Sequence, residues 1–315
     1  MKNSEGPEIR LVGLDGSNPL AFLAALGTMR TLTLARPDSA VRMYWRRYAG
    51  AWRPMIQCSG IDDADGLVAT VAKHLLSNTE ARIGTRAELS LGKNLSIDPE
   101  TLRKAAKGSQ AQSFRNDRRF ADFITSFGCE AFSREVGTTL RVSCTDFHFI
   151  FGSGHQNYLE TAQKLLSNVR EDHIHHALFE EWAYRDPRLS FRWDPNDAKE
   201  HAYQWTSPGD ETTTTVWGAN LLAFEATPFF PTIPTARGVA TTGFQRHSGR
   251  MRFIWPIWGY PITPDVMRSL LSLSLNEMDR KKHLAFGICE VFSSTKIKIG
   301  EGANFKWSFT PAQAI

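Results

Sequence analysis

The chain has 315 residues, 42 % hydrophobic and 22 % charged; this globular balance excludes a mainly disordered polymer and gives enough length for one large domain or two smaller ones. Lys and Arg number 37 against 33 Asp and Glu, a net charge of +4, which permits an anionic partner without demanding one. Its apolar runs fall short of the roughly 18 residues of a membrane span, and MKNSEGPEIR at the start lacks a signal peptide's apolar core, so a cytoplasmic protein with no membrane contact is expected.

Residues 11–34 read as strand, turn and helix. Leu11, Val12 and Leu14 end a short apolar strand, Asp15 to Asn18 bend the chain, and Pro19 suits a first helical position, with Ser17 or Asn18 as cap. The helix is apolar almost all round until Arg30, which predicts burial on more than one face, and Gly27 inside it suggests a close backbone approach. Its capped end could face a ligand phosphate or belong to a plain core helix.

Across residues 40–57 apolar and basic residues alternate around a turn at Ala49 and Gly50, a β-hairpin pattern. Arg42, Arg46, Arg47 and Arg53 interleave there with Tyr44, Trp45, Tyr48 and Trp52. That composition suits a sheet facing nucleic acid, with Trp45 and Trp52 stacking on unpaired bases, and equally a half-exposed hairpin with solvated arginines. Residues 62–78 form an amphipathic helix with acids at its N-terminal end. After Asp98 another helix starts, and residues 99–123 carry Arg103, Lys104, Lys107, Arg115, Arg118 and Arg119 against Glu100, Asp117 and Asp122. The middle of that stretch, 105–113, is small and polar and reads as a mobile loop; its basic flanks either clamp a phosphate backbone or form a solvated face.

Residues 138–151 are a long β-run that opens into Gly152, Ser153, Gly154, His155 and Gln156 before a helix from Tyr158 to Val169. Strand, glycine turn and helix place backbone N–H groups at a positive helix end, so Gly152, Ser153, Gly154 and His155 are either an anion-binding turn or a tight structural one; dinucleotide and Walker spacings are absent. His173, His175 and His176 lie near Glu171, Asp172 and Glu180, but without HEXXH they read as solvated histidines rather than metal ligands. An aromatic-rich turn region (190–205) and a core helix (217–226) ended by prolines follow. A hairpin with arms 244–246 and 252–257 puts Arg246, Arg250 and Arg252 near its tip, then come a helix over 264–275 and closing strands bearing Lys296, Lys298 and Lys306. Cys58, Cys129, Cys144 and Cys289 have no paired spacing, the pattern of buried thiols rather than of a zinc site or disulfide framework.

These elements predict an α+β fold of mixed helices and antiparallel hairpins. Two lobes sharing an interface are expected, 1–190 with the basic loop and 191–315, across a boundary soft enough for one domain. GXSXG, Walker, two-histidine zinc and PD-D/EXK signatures are all missing, which favours a binding subunit over an enzyme and assigns no catalytic residue, metal or cofactor. The alternative is a nucleic-acid-processing enzyme, a nuclease without a familiar motif, using the turn at His155.

LVGLDGSNPLAFLAALGTMRTL, SFRWDPNDAKEHAYQW, TVWGANLLAFEATPFFPTIP and ATTGFQRHSGRMRFIWPIWGYPIT resemble proteins encoded in type I CRISPR loci, particularly subtype G (formerly U). There, such proteins are large-subunit-like or accessory components of the RNA-guided effector. The resemblance covers about a third of the chain, which is shorter than typical large subunits. It implies antiviral defence, contact with DNA or RNA, association with other effector-complex proteins and no cofactor; it carries no residue roles.

Overall fold

The computed structural model describes residues 7–76, 86–113, 118–149, 157–196, 214–236, 238–299 and 305–315. Strand β1 (Glu8–Arg10) lies one step before the strand expected at Leu11. The Leu11 amide still donates to Pro54 O on the neighbouring strand at 2.9 Å, and the chain leaves the sheet by Gly13, whose amide donates to Leu178 O at 2.8 Å. Helix α1 (Pro19–Ala35) begins where expected, and Asn18 is its cap: Oδ1 accepts the amides of Leu20 and Ala21 at 2.8 and 3.2 Å. Such a cap is worth about 1 kcal/mol over alanine.

Strands β2 (Arg42–Tyr48) and β3 (Ala51–Gln57) form the expected hairpin. Ala49 and Gly50 both take positive φ, 49° and 84°, as a two-residue turn matched to strand twist requires. Helix α2 (Ala64–Leu76) falls inside the expected span, followed by a 3₁₀ turn over Ala87–Leu91. Helix α3 (Pro99–Ser113) corrects the mobile loop expected at 105–113. Alanines, lysine and glutamines there are good helix formers, half-buried Ala105 and Ala106 pack against the core, and Ser109 and Ser113 hydroxyls bond back to Ala106 O and Ser109 O.

Helix α4 (Arg119–Phe127), β4 (Gly128–Val136) and β5 (Thr139–Cys144) follow. The β-run expected to reach Phe151 stops at Cys144, because Thr145 Oγ1 takes the Phe147 amide at 3.3 Å and Thr145 O takes the His148 amide, turning the chain. Next come α5 (Tyr158–Asn168), α6 (Glu171–Phe179), β6 (Asp186–Pro187), β7 (Thr214–Thr215) and α7 (Trp217–Ala226). Strands β8 (Thr232–Thr235), β9 (Gly238–Thr241), β10 (Phe244–His247) and β11 (Arg250–Trp258) lead to α8 (Pro264–Leu271), shorter than expected. Helix α9 (Arg280–Ala285), β12 (Ile288–Ile299), β13 (Lys306–Phe309) and β14 (Gln313–Ala314) close the chain.

The fold is α+β. Strand orders are β1-β3-β2 and β10-β11-β12-β13, with β14 also on β12 and three two-stranded pairs elsewhere; the pairings are antiparallel. Met43 and Ile262 exchange backbone hydrogen bonds at 3.0 and 3.1 Å, tying β2 to the segment after β11. One hydrophobic cluster runs from Ile9 to Phe309 and includes residues on both sides of position 190. At its centre Phe22 stacks on Trp45 (centroids 5.8 Å apart) and meets Trp255 (5.8 Å) and Trp258 (6.4 Å), contacts worth about 0.5–1.5 kcal/mol each beyond area burial. Trp255 and Trp258 donate their indole N–H groups to Gly16 O and Met43 O at 2.8 and 2.7 Å, so neither ring buries an unmet donor.

Ions also enter this core. Glu225, on α7, accepts Arg30 Nη1 at 3.0 Å and Arg86 Nη1 at 2.8 Å, and Arg86 Nε reaches Glu88 at 2.6 Å. Two cations face two carboxylates, all 3 % exposed or less, so the cluster is electrically balanced, as buried charge must be. Among the described residues no helix is long and apolar enough to cross a membrane.

Candidate nucleic-acid interface

The cations singled out from the sequence fall on three separate elements. The first is the β2–β3 hairpin. Residues opposite one another in an antiparallel pair share a face, and the register sets Tyr44 opposite Met55, Arg46 opposite Arg53, and Arg10 opposite Met55. One face of the β1-β3-β2 sheet therefore carries Arg10, Arg42, Arg46 and Arg53 with Tyr44 and Tyr48, and Glu8 as its single acid: four positive charges minus one negative. Arg10, which the sequence did not single out, lies over the ring of Tyr48 at 3.7 Å, and Tyr48 is 51 % exposed. Arg46 lies 5.1 Å from the Tyr44 ring and pairs with Glu8 at 3.5 Å. Burial, reinforced by Glu8, pushes the Tyr44 phenol up to about 12, so it stays neutral.

The opposite face packs inward, and this corrects one expected role. Trp45 is 1 % exposed, held between Phe22 and Trp258, and no base can stack on it. Trp52, on the same face but beyond the core's edge, is half-buried with the Arg47 guanidinium 5.7 Å from its ring. Arg53 donates to Leu14 O at 2.9 Å, pinning the turn before α1 as well as adding charge. Asp62 and Asp63 stand beside Arg10 in a shallow depression, so the positive character is greatest toward the hairpin tip.

The second element is α3 with the start of α4. Lys104 and Lys107 are exposed, three residues apart on one helical face. Arg103 pairs with Glu130 at 3.1 Å and Arg118 with Asp122 at 3.7 Å, while half-buried Arg119 lends its charge to Glu225. Asp98 caps α3 through Thr101, whose hydroxyl and amide hold the Asp98 carboxyl below its usual range. Arg115 lies outside the described residues. The third element is the β10–β11 tip: Arg250 and half-buried Arg252 share a face, and Arg246 points to the other, donating to Gly249 O at 3.4 Å.

The anion-binding turn expected at Gly152, Ser153, Gly154 and His155 lies outside the described residues. Two of the three histidines expected to be solvated are not: His173 and His176 are 8 % and 1 % exposed, and each accepts a backbone amide, from Arg170 at 3.1 Å and from Ala183 at 3.2 Å, while His175 stays partly exposed beside Glu180. Both bonds anchor α6. Among the described residues no group of three or more His, Cys, Asp or Glu could hold a metal ion. Of the cysteines, Cys58 is buried and the other three are partly exposed.

A cleft of about 690 Å³ opens at the head of α1, lined by Asp15, Asn18, Arg53, Trp182, Tyr184 and Asn196 among others. Fully buried Asp194 organises it, accepting Asn18 Nδ2 at 2.9 Å, Tyr184 OH at 2.8 Å and the Asn196 amide at 2.9 Å. This carboxylate, with Asp15, occupies the positive end of α1, so a ligand phosphate there would meet like charge. Tyr184, Arg188, Leu189 and Arg192 all take positive φ, 45° to 63°, a strained backbone. Nothing in the spacing of Asn18 and Asp194 announced their contact. Comparison of the chain with protein-family models, curated proteins and solved structures finds no match.

Proposed function

We propose that the chain is a non-catalytic nucleic-acid-binding component of a CRISPR-type RNA-guided effector, working in antiviral defence alongside other subunits. The observation that carries this reading is the outer face of the β1-β3-β2 sheet, where Arg10, Arg42, Arg46 and Arg53 share the strands with one acid, Glu8, with Asp62 and Asp63 flanking Arg10, and where the Tyr48 ring stands exposed. Guanidinium groups draw the phosphate backbone, and an aromatic face beside them gives an unpaired base a place to stack. Lys104 and Lys107 on α3 and Arg246, Arg250 and Arg252 at the β10–β11 tip are secondary backbone contacts. The resemblance of the four quoted stretches supports the cellular role; three of them meet at the core, through Trp255 and Gly16 and through α1 and α7.

The test is titration of labelled single-stranded and duplex DNA and RNA at two salt concentrations. Affinity should fall steeply as salt rises, by about one unit of log–log slope per phosphate contact; salt-independent binding, or none, rejects the reading. Including Mg²⁺ or Mn²⁺ in the same incubations separates the enzymatic alternative, because a nuclease would cleave the probe.

A further inference from the structure

Cys144 Sγ, at the end of β5, lies 3.3 Å from Nδ1 of His148, and the other ring nitrogen, Nε2, lies 2.7 Å from Oδ1 of Asn94. That same oxygen accepts the backbone amides of Leu95 at 3.0 Å and Tyr158 at 3.2 Å. Two backbone donors identify the atom as the amide's carbonyl oxygen, so it accepts from His148 as well. Nε2 then carries the imidazole proton, and Nδ1 turns its lone pair to the thiol. Thiol, imidazole and amide thus stand in the order that activates a cysteine nucleophile.

The surroundings hold this order in place. The Tyr158 ring meets the imidazole edge-on at 5.7 Å, and His148 is 5 % exposed while Cys144 keeps partial access to solvent. Lys296, from β12, donates to Asp146 O at 2.7 Å and His148 O at 3.3 Å. Facing the thiol, burial pushes its pKa up; Lys296 and Arg134 pull the other way and Asp146 adds to the rise, with burial prevailing. The resting group is a protonated thiol, and its proton must leave as the sulfur attacks.

We propose that Cys144 is a base-assisted nucleophilic thiol and a site of reversible modification by small disulfides, with His148 as its base and Asn94 as a positioning residue. Sγ attacks one sulfur of RS–SR; the Sγ–S bond forms as the S–S bond of the reagent breaks. The proton passes from Sγ to His148 Nδ1 and on to the departing thiolate. Cys144 is oxidised to a mixed disulfide, half of the reagent is reduced to RSH, and free thiol reverses the step. Among the described residues it is the cysteine hydrogen-bonded to a histidine; Cys289 Sγ reaches the Gly287 carbonyl at 3.9 Å.

The experiment treats the intact chain with oxidised glutathione from about pH 6 to pH 9 and follows each cysteine separately by peptide mass spectrometry. Cys144 should react about tenfold faster than Cys289, at a rate nearly flat across neutral pH, because the base-assisted pair has lost no proton there; an unassisted thiol gains about tenfold per pH unit. His148→Gln should slow Cys144 by about 100-fold, and Asn94→Ala, which frees the ring to change tautomer, should lower the plateau, both leaving Cys289 unchanged. A wild-type Cys144 that reacts no faster than Cys289, or whose rate climbs about tenfold per pH unit, overturns the proposal whether or not the variants fold.

Discussion

Gly27 of α1 passes so close to Leu222 of α7 that a Cβ on the glycine would lie 1.7 Å from the Leu222 carbonyl oxygen. The two helices cross with their backbones in contact at Leu222 and Ala226. Gly27→Ala should therefore destabilise the protein by about 3 kcal/mol or more through overpacking, although alanine favours a helix by about 1 kcal/mol. Urea unfolding measures this as a lowered midpoint at unchanged slope; an unchanged midpoint would refute the crossing.

Glu225→Gln strips the shared partner from Arg30 and Arg86 inside the core, and breaking such a cluster costs about 3–5 kcal/mol. Burial pushes the Glu225 carboxyl up, but Arg86 and Arg30 outweigh it and hold the group below the usual carboxylate range. A carboxylate depressed in the folded state contributes stability above its unfolded pKa, and that contribution is lost as pH falls through the folded value. The wild-type protein should lose stability below its unfolded carboxyl range, near pH 4.5, and the variant should show a smaller loss there. Thermal melts at stepped pH read the difference.

Lys296 titrates in the opposite region. Burial lowers its pKa from 10.5 to about 8, with Asp146 opposing the shift. Between those values the unfolded chain binds the proton and the folded one does not, so stability from this group rises with pH above about 8 and levels off near the unfolded pKa. Lys296→Met should remove that rise, a difference of about 2 kcal/mol between pH 8 and 10. Denaturant melts at the two pH values check it, with both proteins carrying Cys144→Ser because that thiol is coupled to Lys296.

If the outer face of the β1-β3-β2 sheet is the main nucleic-acid surface, Arg46→Ala with Arg10→Ala should weaken binding several-fold and reduce the salt slope by about two. Lys104→Ala with Lys107→Ala should have the smaller effect, and Trp45→Phe none beyond stability, because the Trp45 ring is enclosed. Tyr48→Ala should weaken single strands more than duplexes, by about 1–3 kcal/mol. Fluorescence anisotropy with matched single-stranded and duplex probes separates these outcomes.

Local chemistry was legible without coordinates. Asn18 before Pro19, Ala49–Gly50 and Ser248–Gly249 each mark a backbone conformation that neighbouring residues alone decide, and helix periodicity gave α1, α2, α5 and α7 nearly to their ends. Alternation of apolar and basic residues likewise gave the β2–β3 hairpin. It could not say which face was inward, since that depends on Phe22 and Trp258 arriving from elsewhere in the chain. The helix through 105–113 was missed for a related reason: its small polar residues carry no periodic apolar signal, and its half-buried alanines gain their partners only in the folded chain.

Sequence by itself determined the α+β character, the caps, the turns and the supply of arginine and aromatic side chains, because each follows from residues within a few positions of one another. Tertiary structure alone decided which of those side chains meet. Arg30, Arg86 and Glu225 gather in the core from three distant segments, and Asn94, Cys144 and His148 assemble across 54 residues. The burial of apolar surface that brings such groups together is set by the whole chain, and no local spacing records it.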